Sequence, residues 1–228
     1  MSRLALFDCD GTLVDSGANI CRAMDRSFAQ HGLVAPDHAA VHRIVGLSLV
    51  EAMAVLHPEG DDPFHRELAA TYKDAFVAMR GTPDFDHEPL YDGIAEAIAT
   101  LTADGWLLGV ATGKSDRGLR LILEQHGLRD RFVTLQTADR HPSKPHPAMA
   151  LAAMEQAGVA PADTVVIGDT VFDMELAQAA GAHGVGVGWG YHATDELLAA
   201  GAERIVLHPR EIPAALVACL TREPMSPA

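Results

Sequence analysis

Cysteine is scarce in this sequence, and long hydrophobic runs are absent from it. The three cysteines, Cys9, Cys21 and Cys219, form no C-x-x-C pair, which argues against a disulfide framework and is typical of a reducing compartment. No apolar run approaches the roughly 18 residues of a membrane span, and residues 1–17 carry acids where a secretory signal would be apolar. We therefore expect a cytoplasmic protein that does not cross a membrane.

Basic residues are also few. The 228 residues include 17 Lys and Arg against 31 Asp and Glu, so the formal net charge is −14. A surface of that sign repels phosphodiester backbones, which argues against nucleic-acid binding. An anionic substrate would therefore need a cation or a local basic group to receive it. Hydrophobic residues make up 48% of the chain, which predicts a packed core rather than general disorder.

Short apolar segments bounded by turn residues predict a parallel sheet that is covered on both faces. The predicted strands are residues 4–7, 106–111, 132–137, 164–167, 184–187 and 204–207. Helical patterns lie between them at residues 93–104, 116–126, 147–157 and 174–180. Strands that alternate with helices indicate an α/β fold, a doubly wound parallel sheet with right-handed crossovers.

One long segment, residues 16–89, interrupts this alternation. It carries helical patterns at residues 20–30, 37–45, 49–56 and 64–79, separated by glycines and prolines, and no convincing strand. We predict that residues 16–89 form an all-helical insert between the first strand and its crossover helix. Residues 1–15 and 90–228 would then form the α/β core.

Polar residues follow several of the predicted strands, at the edge of the sheet where ligands of such folds bind. The residues expected at this edge are Asp8, Asp10, Thr112, Gly113, Lys114, Lys144, Asp169 and Asp173. Four carboxylates in one crevice would repel one another and require a counter-charge. Mg²⁺ suits such a site because it takes oxygen ligands, typically one or two carboxylates, waters and a substrate phosphate. Lys144 and Thr112 would bind the rest of the anionic group.

Four motifs, DCDGT, ATGK, SKP and GDTVFD, occur in this order along the chain. Together they resemble the motifs of the haloacid dehalogenase superfamily of phosphohydrolases, over residues 4 to about 209. The helical insert lies where that family places a cap domain on its Rossmann-like core. The segment GWGYHATDELLAAGAERIV resembles the phosphoglycolate-phosphatase-like branch. The resemblance implies a Mg²⁺-dependent phosphatase of a small phosphorylated metabolite, with 2-phosphoglycolate as the first candidate.

The resemblance also implies roles for the motif residues in catalysis. Asp8 would be the nucleophile that forms an aspartyl-phosphate, and Asp10 the general acid and then the base that activates water. Thr112, Gly113 and Lys144 would hold the phosphoryl oxygens.

A metal site is implied by the same motifs. Asp8, the backbone carbonyl of Asp10 and Asp169 would ligate Mg²⁺. Asp173 would not bind the metal directly but would orient Lys144 or a metal-bound water.

The insert is expected to select the substrate by closing over the crevice. The residues that could reach the substrate are His42, Arg43, Gly46, Leu47 and Ser48, in a passage that resembles the family's specificity segment. Ordinary packing within the insert is the alternative for each of them.

Several individual residues have simpler interpretations. Asp173 could cap the helix that it precedes, Thr112 could be a turn residue, and Lys144 could be a solvated lysine. Lys114 could contact the phosphate, but we expect a surface cation or a cap contact. Asp15 could be a hinge residue of the cap, but we expect a polar loop residue.

The function also has alternatives. A sugar phosphomutase of the β-phosphoglucomutase type and a pyrophosphatase would use the same motifs. A catalytically silent phosphate-binding module would keep the fold without the chemistry. The chain is expected to be a monomer or a homodimer.

Overall fold

Six parallel strands form one sheet in the computed structural model, which describes residues 2–221. The strands are β1 (Arg3–Phe7), β2 (Trp106–Thr112), β3 (Thr134–Thr137), β4 (Thr164–Gly168), β5 (His183–Val187) and β6 (Arg204–Val206). Their order across the sheet is β3-β2-β1-β4-β5-β6, and every neighbouring pair is parallel. The order reverses beside β1, as in doubly wound sheets, so the predicted α/β fold is confirmed.

Ten α-helices occur among residues 2–221. They are α1 (Gly17–Gln30), α2 (His38–Ile44), α3 (Leu49–Leu56), α4 (Asp62–Met79), α5 (Ile94–Ala103), α6 (Asp116–Gln125), α7 (Ala148–Ala157), α8 (Val171–Ala179), α9 (Thr194–Ala199) and α10 (Ile212–Leu220). Each of them is too short or too polar to cross a lipid bilayer.

Several details of the prediction are wrong, among them the starts of α1 and α4, which lie three and two residues before the predicted ones. Strand β3 begins at Thr134, two residues late, because a 3-10 turn at Arg129–Arg131 precedes it. Helix α8 begins at Val171, three residues early, because Thr170 caps it. Helices α9 and α10 are absent from the prediction because α9 spans six residues and α10 is entirely apolar, so neither shows the spaced pattern of an amphipathic helix.

The core consists of two apolar layers, one on each face of the sheet. Alternate residues of a strand point to opposite faces. Ala5 and Phe7 of β1 therefore pack with α5, α6 and α10, whereas Leu4 and Leu6 pack with α7 and α8. All four side chains are fully buried. This double burial holds the carboxyl end of β1, where the polar motif begins, in a fixed place.

Helices α1–α4 form a third apolar cluster of their own, separate from the two sheet layers. Its largest buried members are Met24, Phe28, Met53 and Leu68. The four helices occupy the segment in which four were predicted, whereas the division into domains at residues 16 and 89 stays a prediction. Residues 222–228 of the predicted second core segment, and Met1 of the first, lie outside the described residues.

The chain enters and leaves this helical region at adjacent points. Val14 and Leu90 form an antiparallel bridge, and the Asp15 amide donates to the Pro89 carbonyl at 2.9 Å. Asp15 itself is exposed in the connection, as predicted. The two connections therefore run side by side next to the carboxyl end of β1.

Candidate active site

The carboxyl ends of β1, β2 and β4 bring most of the predicted residues together. Asp8 and Asp10 follow β1, Thr112 ends β2, and Asp169 follows β4. Lys144 reaches the same edge from the loop after β3. All five are buried, although four of them are charged or acidic. Because isolated buried charges are costly, each of these groups requires a partner.

Lys144 is the central cation of the cluster and is only 2% exposed. Its ammonium donates to Asp8 Oδ1 at 2.7 Å and to Asp173 Oδ1 at 2.6 Å. Burial lowers the pKa of Lys144, but the attraction of the Asp173 and Asp8 carboxylates outweighs that effect and raises its pKa above the ordinary value. Lys144 therefore carries its charge at neutral pH, and the alternative of a solvated surface lysine is wrong.

The second oxygen of Asp8, Oδ2, is buried and accepts no hydrogen bond from a described residue. Burial raises the pKa of Asp8 to about 7, although Lys144 opposes the shift. An unpartnered buried carboxylate oxygen is destabilising. This atom is therefore suited to a ligand that supplies positive charge or an electrophilic centre.

Asp8, Asp169 and Asp173 form an acidic triad whose oxygen atoms lie within 4.8 Å of one another. The Thr12 hydroxyl donates to Asp169 Oδ1 at 2.7 Å, and the Tyr191 amide donates to Oδ2 at 2.9 Å. Burial and the neighbouring acids raise the pKa of Asp169 well above its ordinary value. These residues fit a divalent metal ion, because the donors are all carboxylate oxygens and their negative charges repel one another.

Asp173 supports the triad from inside α8. It is the third residue of the helix, and its Oδ2 accepts from the Thr170 amide at 3.1 Å and the Thr170 hydroxyl at 2.8 Å. The interpretation of Asp173 as the residue that starts the helix is wrong, because Thr170 has that position in a capping box. Both Asp173 oxygens are engaged, one by Thr170 and one by Lys144, which fits an orienting role.

Lys114 is largely buried, so the expectation of a surface cation is wrong. Its ammonium donates to Asp10 Oδ1 at 2.6 Å, and the Ser16 hydroxyl donates to the same oxygen. Burial lowers the pKa of Lys114, but Asp10, Cys9 and Glu88 together outweigh that effect and raise it. Lys114 therefore belongs to the buried polar network around Asp10, although Asp10 lies 104 residues away in the sequence.

Sequence reasoning also missed the groups that hold the acids in place. They are Thr12, Ser16 and the Tyr191 amide, of which Thr12 lies inside the DCDGT motif. Gly11 is required beside them, because its φ is +84° and a Cβ there would overlap Asp169. Tyr191 lies far along the chain in a loop after β5, and its amide carried no signal in the sequence.

The predicted specificity segment divides into two parts. Gly46, Leu47 and Ser48 line the crevice above Asp8. The Ser48 amide donates to the Ser143 hydroxyl at 2.7 Å. A Cβ on Gly113 would overlap the Leu47 carbonyl oxygen. The loop of the helical region therefore lies directly against the end of β2.

His42 and Arg43 do not line this crevice. The His42 ring packs against Tyr191 with centroids 5.1 Å apart, and Arg43 donates to Glu196 at 2.6 Å. Burial and the nearby His38 lower the pKa of His42, so this ring is neutral at pH 7. His42 thus holds α2 against the loop that follows β5, and Arg43 holds it against α9.

A cavity of about 470 Å³ lies between the helical region and the edge of the sheet. Its floor contains Asp8, Asp10, Thr112, Gly113 and Lys114. Its walls come from α1, α3 and α4, so a molecule in the cavity would contact both parts of the chain. Lys144 does not line the cavity itself but contacts Asp8, which does. This arrangement can place an anionic group beside Asp8 and Thr112 while the remainder of the molecule contacts the helices.

Comparison with known proteins identifies a family and several relatives that this chain resembles. Residues 5–187 match the model of the family described as haloacid dehalogenase-like hydrolase. The chain is 34% identical to the probable phosphatase IndB of Dickeya dadantii, over 90% of both chains. It is 31% identical to a phosphoglycolate phosphatase of Xylella fastidiosa, over 85% of this chain and 83% of the relative.

Two further similarities cover nearly the whole chain. An N-acetylmuramic acid 6-phosphate phosphatase of Pseudomonas aeruginosa is 31% identical over 92% of both chains. The solved structure of a predicted phosphatase from Clostridium acetobutylicum superposes with a TM-score of 0.85 and 27% identity, over 96% of this chain and 99% of that one. With its motifs at the ends of the strands and these similarities along its length, the chain belongs to the haloacid dehalogenase-like hydrolases.

Proposed function

We propose that the protein is a Mg²⁺-dependent phosphatase that hydrolyses a small-metabolite phosphate monoester through an aspartyl-phosphate on Asp8. The observation that carries this proposal is the environment of Asp8. One carboxylate oxygen is held by Lys144 at 2.7 Å, and the other is buried at the cavity floor without a hydrogen-bond partner. A fixed carboxylate with one free oxygen is suited to nucleophilic attack on phosphorus.

Asp8 and Asp10 have different roles in the proposed reaction. An Asp8 oxygen bonds to phosphorus while the bond from phosphorus to the ester oxygen breaks, and Asp10 gives its proton to the leaving alcohol. Water then attacks the aspartyl-phosphate, passes its proton to Asp10 and releases phosphate, which restores Asp8. Lys114 and Ser16 hold Asp10 Oδ1, so Oδ2 is left to carry the proton.

Thr112 and the Gly113 amide would bind the phosphoryl oxygens at the floor of the cavity, and Lys144 would reach them from beside Asp8. Asp8, the Asp10 backbone carbonyl and Asp169 would hold the metal ion, while Asp173 keeps Lys144 in place at 2.6 Å. A bound Mg²⁺ supplies positive charge that offsets the acids and the phosphate.

The substrate has two candidates with support. The resemblance to the phosphoglycolate-phosphatase-like branch favours 2-phosphoglycolate, and a relative from Xylella fastidiosa has that name. A phosphorylated sugar is the second, supported by the relative from Pseudomonas aeruginosa named for N-acetylmuramic acid 6-phosphate. Gly46 and Ser48 line the cavity in either case, and His42 and Arg43 would act on the substrate only through the position of α2.

The test is phosphate release from p-nitrophenyl phosphate and from a panel of phosphorylated metabolites, with Mg²⁺ and then with EDTA. We expect turnover that EDTA removes and that Asp8→Asn lowers by on the order of 10³-fold or more. The control is Asp15→Asn, an exposed acid outside the cavity, which should leave turnover unchanged.

Three other outcomes would replace the proposal. Glucose 6-phosphate formed from β-glucose 1-phosphate would indicate a phosphomutase, and a preference for inorganic pyrophosphate would indicate a pyrophosphatase. No turnover across the panel with Mg²⁺ would indicate a silent phosphate-binding module.

A further inference from the structure

The part of the cavity above the catalytic floor has an apolar wall. Its side chains come from three helices and are Ile20, Met24, Leu49, Val50, Tyr72 and Phe76. A substrate that consists only of a phosphate and a short polar group would leave these apolar side chains without contacts. From this wall we infer that the alcohol released by this enzyme carries an uncharged ring with an apolar face, which packs against Tyr72 and Phe76. This inference rests on the proposed phosphatase function and specifies its substrate class.

The volume of the cavity is the first argument. At about 470 Å³ it lies within the range of about 300–1,000 Å³ that is typical of sites for drug-sized ligands. A two-carbon molecule such as 2-phosphoglycolate would leave most of that space empty or filled with water. An apolar cavity gains little from ordered water, because its lining offers water few hydrogen bonds.

The position of the aromatic rings is the second argument. Tyr72 and Phe76 are four residues apart on α4 and therefore share one face of the helix, with ring centroids 5.9 Å apart. The Phe76 centroid lies 5.8 Å from the Lys114 ammonium, which is itself 2.6 Å from Asp10. Because Asp10 would protonate the leaving oxygen, the carbon atoms attached to that oxygen emerge beside these rings.

The Tyr72 hydroxyl adds a polar contact to this wall. It donates to no described residue, although the ring lines the cavity. Burial raises the pKa of Tyr72, so the hydroxyl remains protonated and available as a donor. A ring that carries one oxygen or nitrogen atom could accept from it while packing on Phe76.

The charges of the cavity are the third argument, because a second anionic group would need its own cation. Lys114 is paired with Asp10 at 2.6 Å, and Lys73 lies 3.7 Å from Asp139. Arg80 lies 3.9 Å from the buried Glu88. Arg117 lines the cavity without an ion pair to a described residue, but it is exposed to solvent. A carboxylate next to the phosphate would therefore meet apolar side chains and the unpaired Arg117, whose attraction solvent screens.

A matched series of esters tests the inference through kcat/KM with Mg²⁺. Ethyl phosphate, benzyl phosphate and naphthylmethyl phosphate all release alcohols of similar reactivity and differ in the ring, whereas 2-phosphoglycolate carries a carboxylate instead. We expect benzyl phosphate to exceed both ethyl phosphate and 2-phosphoglycolate by about tenfold or more, as burial of one ring predicts.

Variants of α4 assign the effect to the wall. Phe76→Ala should lower the ratio of kcat/KM for benzyl over ethyl phosphate by about tenfold. Phe64→Ala is the matched control: Phe64 lies on the same helix and packs against His31 and His57, away from the cavity lining. It should leave the ratio unchanged even if it lowers stability.

The result that overturns the inference is phosphatase activity in which 2-phosphoglycolate equals or exceeds benzyl phosphate, or a ratio that Phe76→Ala does not change. Failure of the proposed function looks different, because no ester in the series would then be hydrolysed. Binding affinities measured by calorimetry would still test the inference in that case. Benzylphosphonate should bind the wild-type chain at least about tenfold more tightly than phosphonoacetate, and equal or reversed affinities would contradict the wall's role.

Discussion

At the scale of single residues, Glu88 is the group whose environment is least favourable. Its side chain is fully buried, and neither carboxylate oxygen accepts a hydrogen bond from a described residue. The Arg80 guanidinium is 3.9 Å away. Burial raises the pKa of Glu88 above its ordinary value of 4.5, with Lys114 opposing and Asp10 reinforcing the shift. Glu88 therefore holds a proton in the folded chain at pH values where the unfolded chain has released it.

This shift predicts the effect of Glu88→Gln on stability. A carboxyl with a raised pKa in the folded state loses stability as pH rises from the unfolded value towards the folded one. The glutamine variant lacks that titration, so its free energy of unfolding relative to wild type should increase between pH 5 and pH 8. The increase amounts to about 1.4 kcal/mol for each unit by which the pKa is raised.

Denaturant unfolding of both proteins at several pH values, with EDTA present, measures the difference. The half-buried Glu203, which pairs with His183 at the opposite end of the sheet, offers a contrasting variant, Glu203→Gln. A difference between wild type and Glu88→Gln that stays constant with pH would show that Glu88 is ionised in the folded chain.

At the scale of elements, the end of β2 and the loop before α3 are in direct contact. A Cβ on Gly113 would overlap the Leu47 carbonyl oxygen, whereas the backbone of Gly113 needs no positive φ. Gly113→Ala should therefore fold normally and prevent the loop from lying against the sheet. Because water exclusion depends on that contact, we expect kcat/KM to fall by about tenfold or more, with a melting temperature near that of wild type.

The companion variant for this contact is Ser143→Ala, which removes only the hydrogen bond to the Ser48 amide. It should lower kcat/KM less than Gly113→Ala does, since a single hydrogen bond contributes about 1 kcal/mol. Activity of Gly113→Ala equal to that of wild type would mean that the loop does not need this position for turnover.

The sheet and the site floor could be predicted at this scale because they depend on local patterns. Short apolar runs mark the strands, and parallel strands place their carboxyl ends at one edge, so Asp8, Thr112 and Asp169 meet there by topology alone. The Lys114–Asp10 pair and the Tyr191 amide could not be predicted, because they depend on how loops fold over that edge.

The cavity wall escaped prediction for a related reason. Tyr72 and Phe76 carry the spacing of an ordinary buried helix face. Only the packing of α4 over the sheet shows that this face also borders open space. The sequence-based candidates His42 and Arg43 illustrate the converse, since they lie on α2 beside the lining loop but do not line the cavity themselves.

At the scale of the whole molecule, the proposed metal ion would bind the folded chain only, because the unfolded chain lacks the assembled triad. Binding to the folded state alone stabilises it by RT ln(1 + [L]/Kd), which is about 2.7 kcal/mol at a hundredfold excess over Kd. We therefore expect Mg²⁺ to raise the melting temperature relative to EDTA. Asp169→Asn, which removes one member of the triad, should lose most of that increase.

Thermal unfolding with Mg²⁺, Ca²⁺ and EDTA provides the measurement, and Asp195→Asn, an exposed acid on α9, is the reference variant. Ions that bind only to the acidic surface would stabilise both variants alike. If Asp169→Asn retained the full increase in melting temperature, the stabilising ion would bind outside the triad.

The adjacent crossings at Val14 and Leu90 have a further consequence for how such a molecule can change. Because the two ends of the helical segment leave the sheet side by side, another segment of any length could replace it without changing the pairing of the strands. Under the proposed function, substrate choice and phosphoryl transfer would then depend on different stretches of the chain. A foreign helical segment joined at these two crossings would keep the phosphate chemistry and bring its own preference for the alcohol.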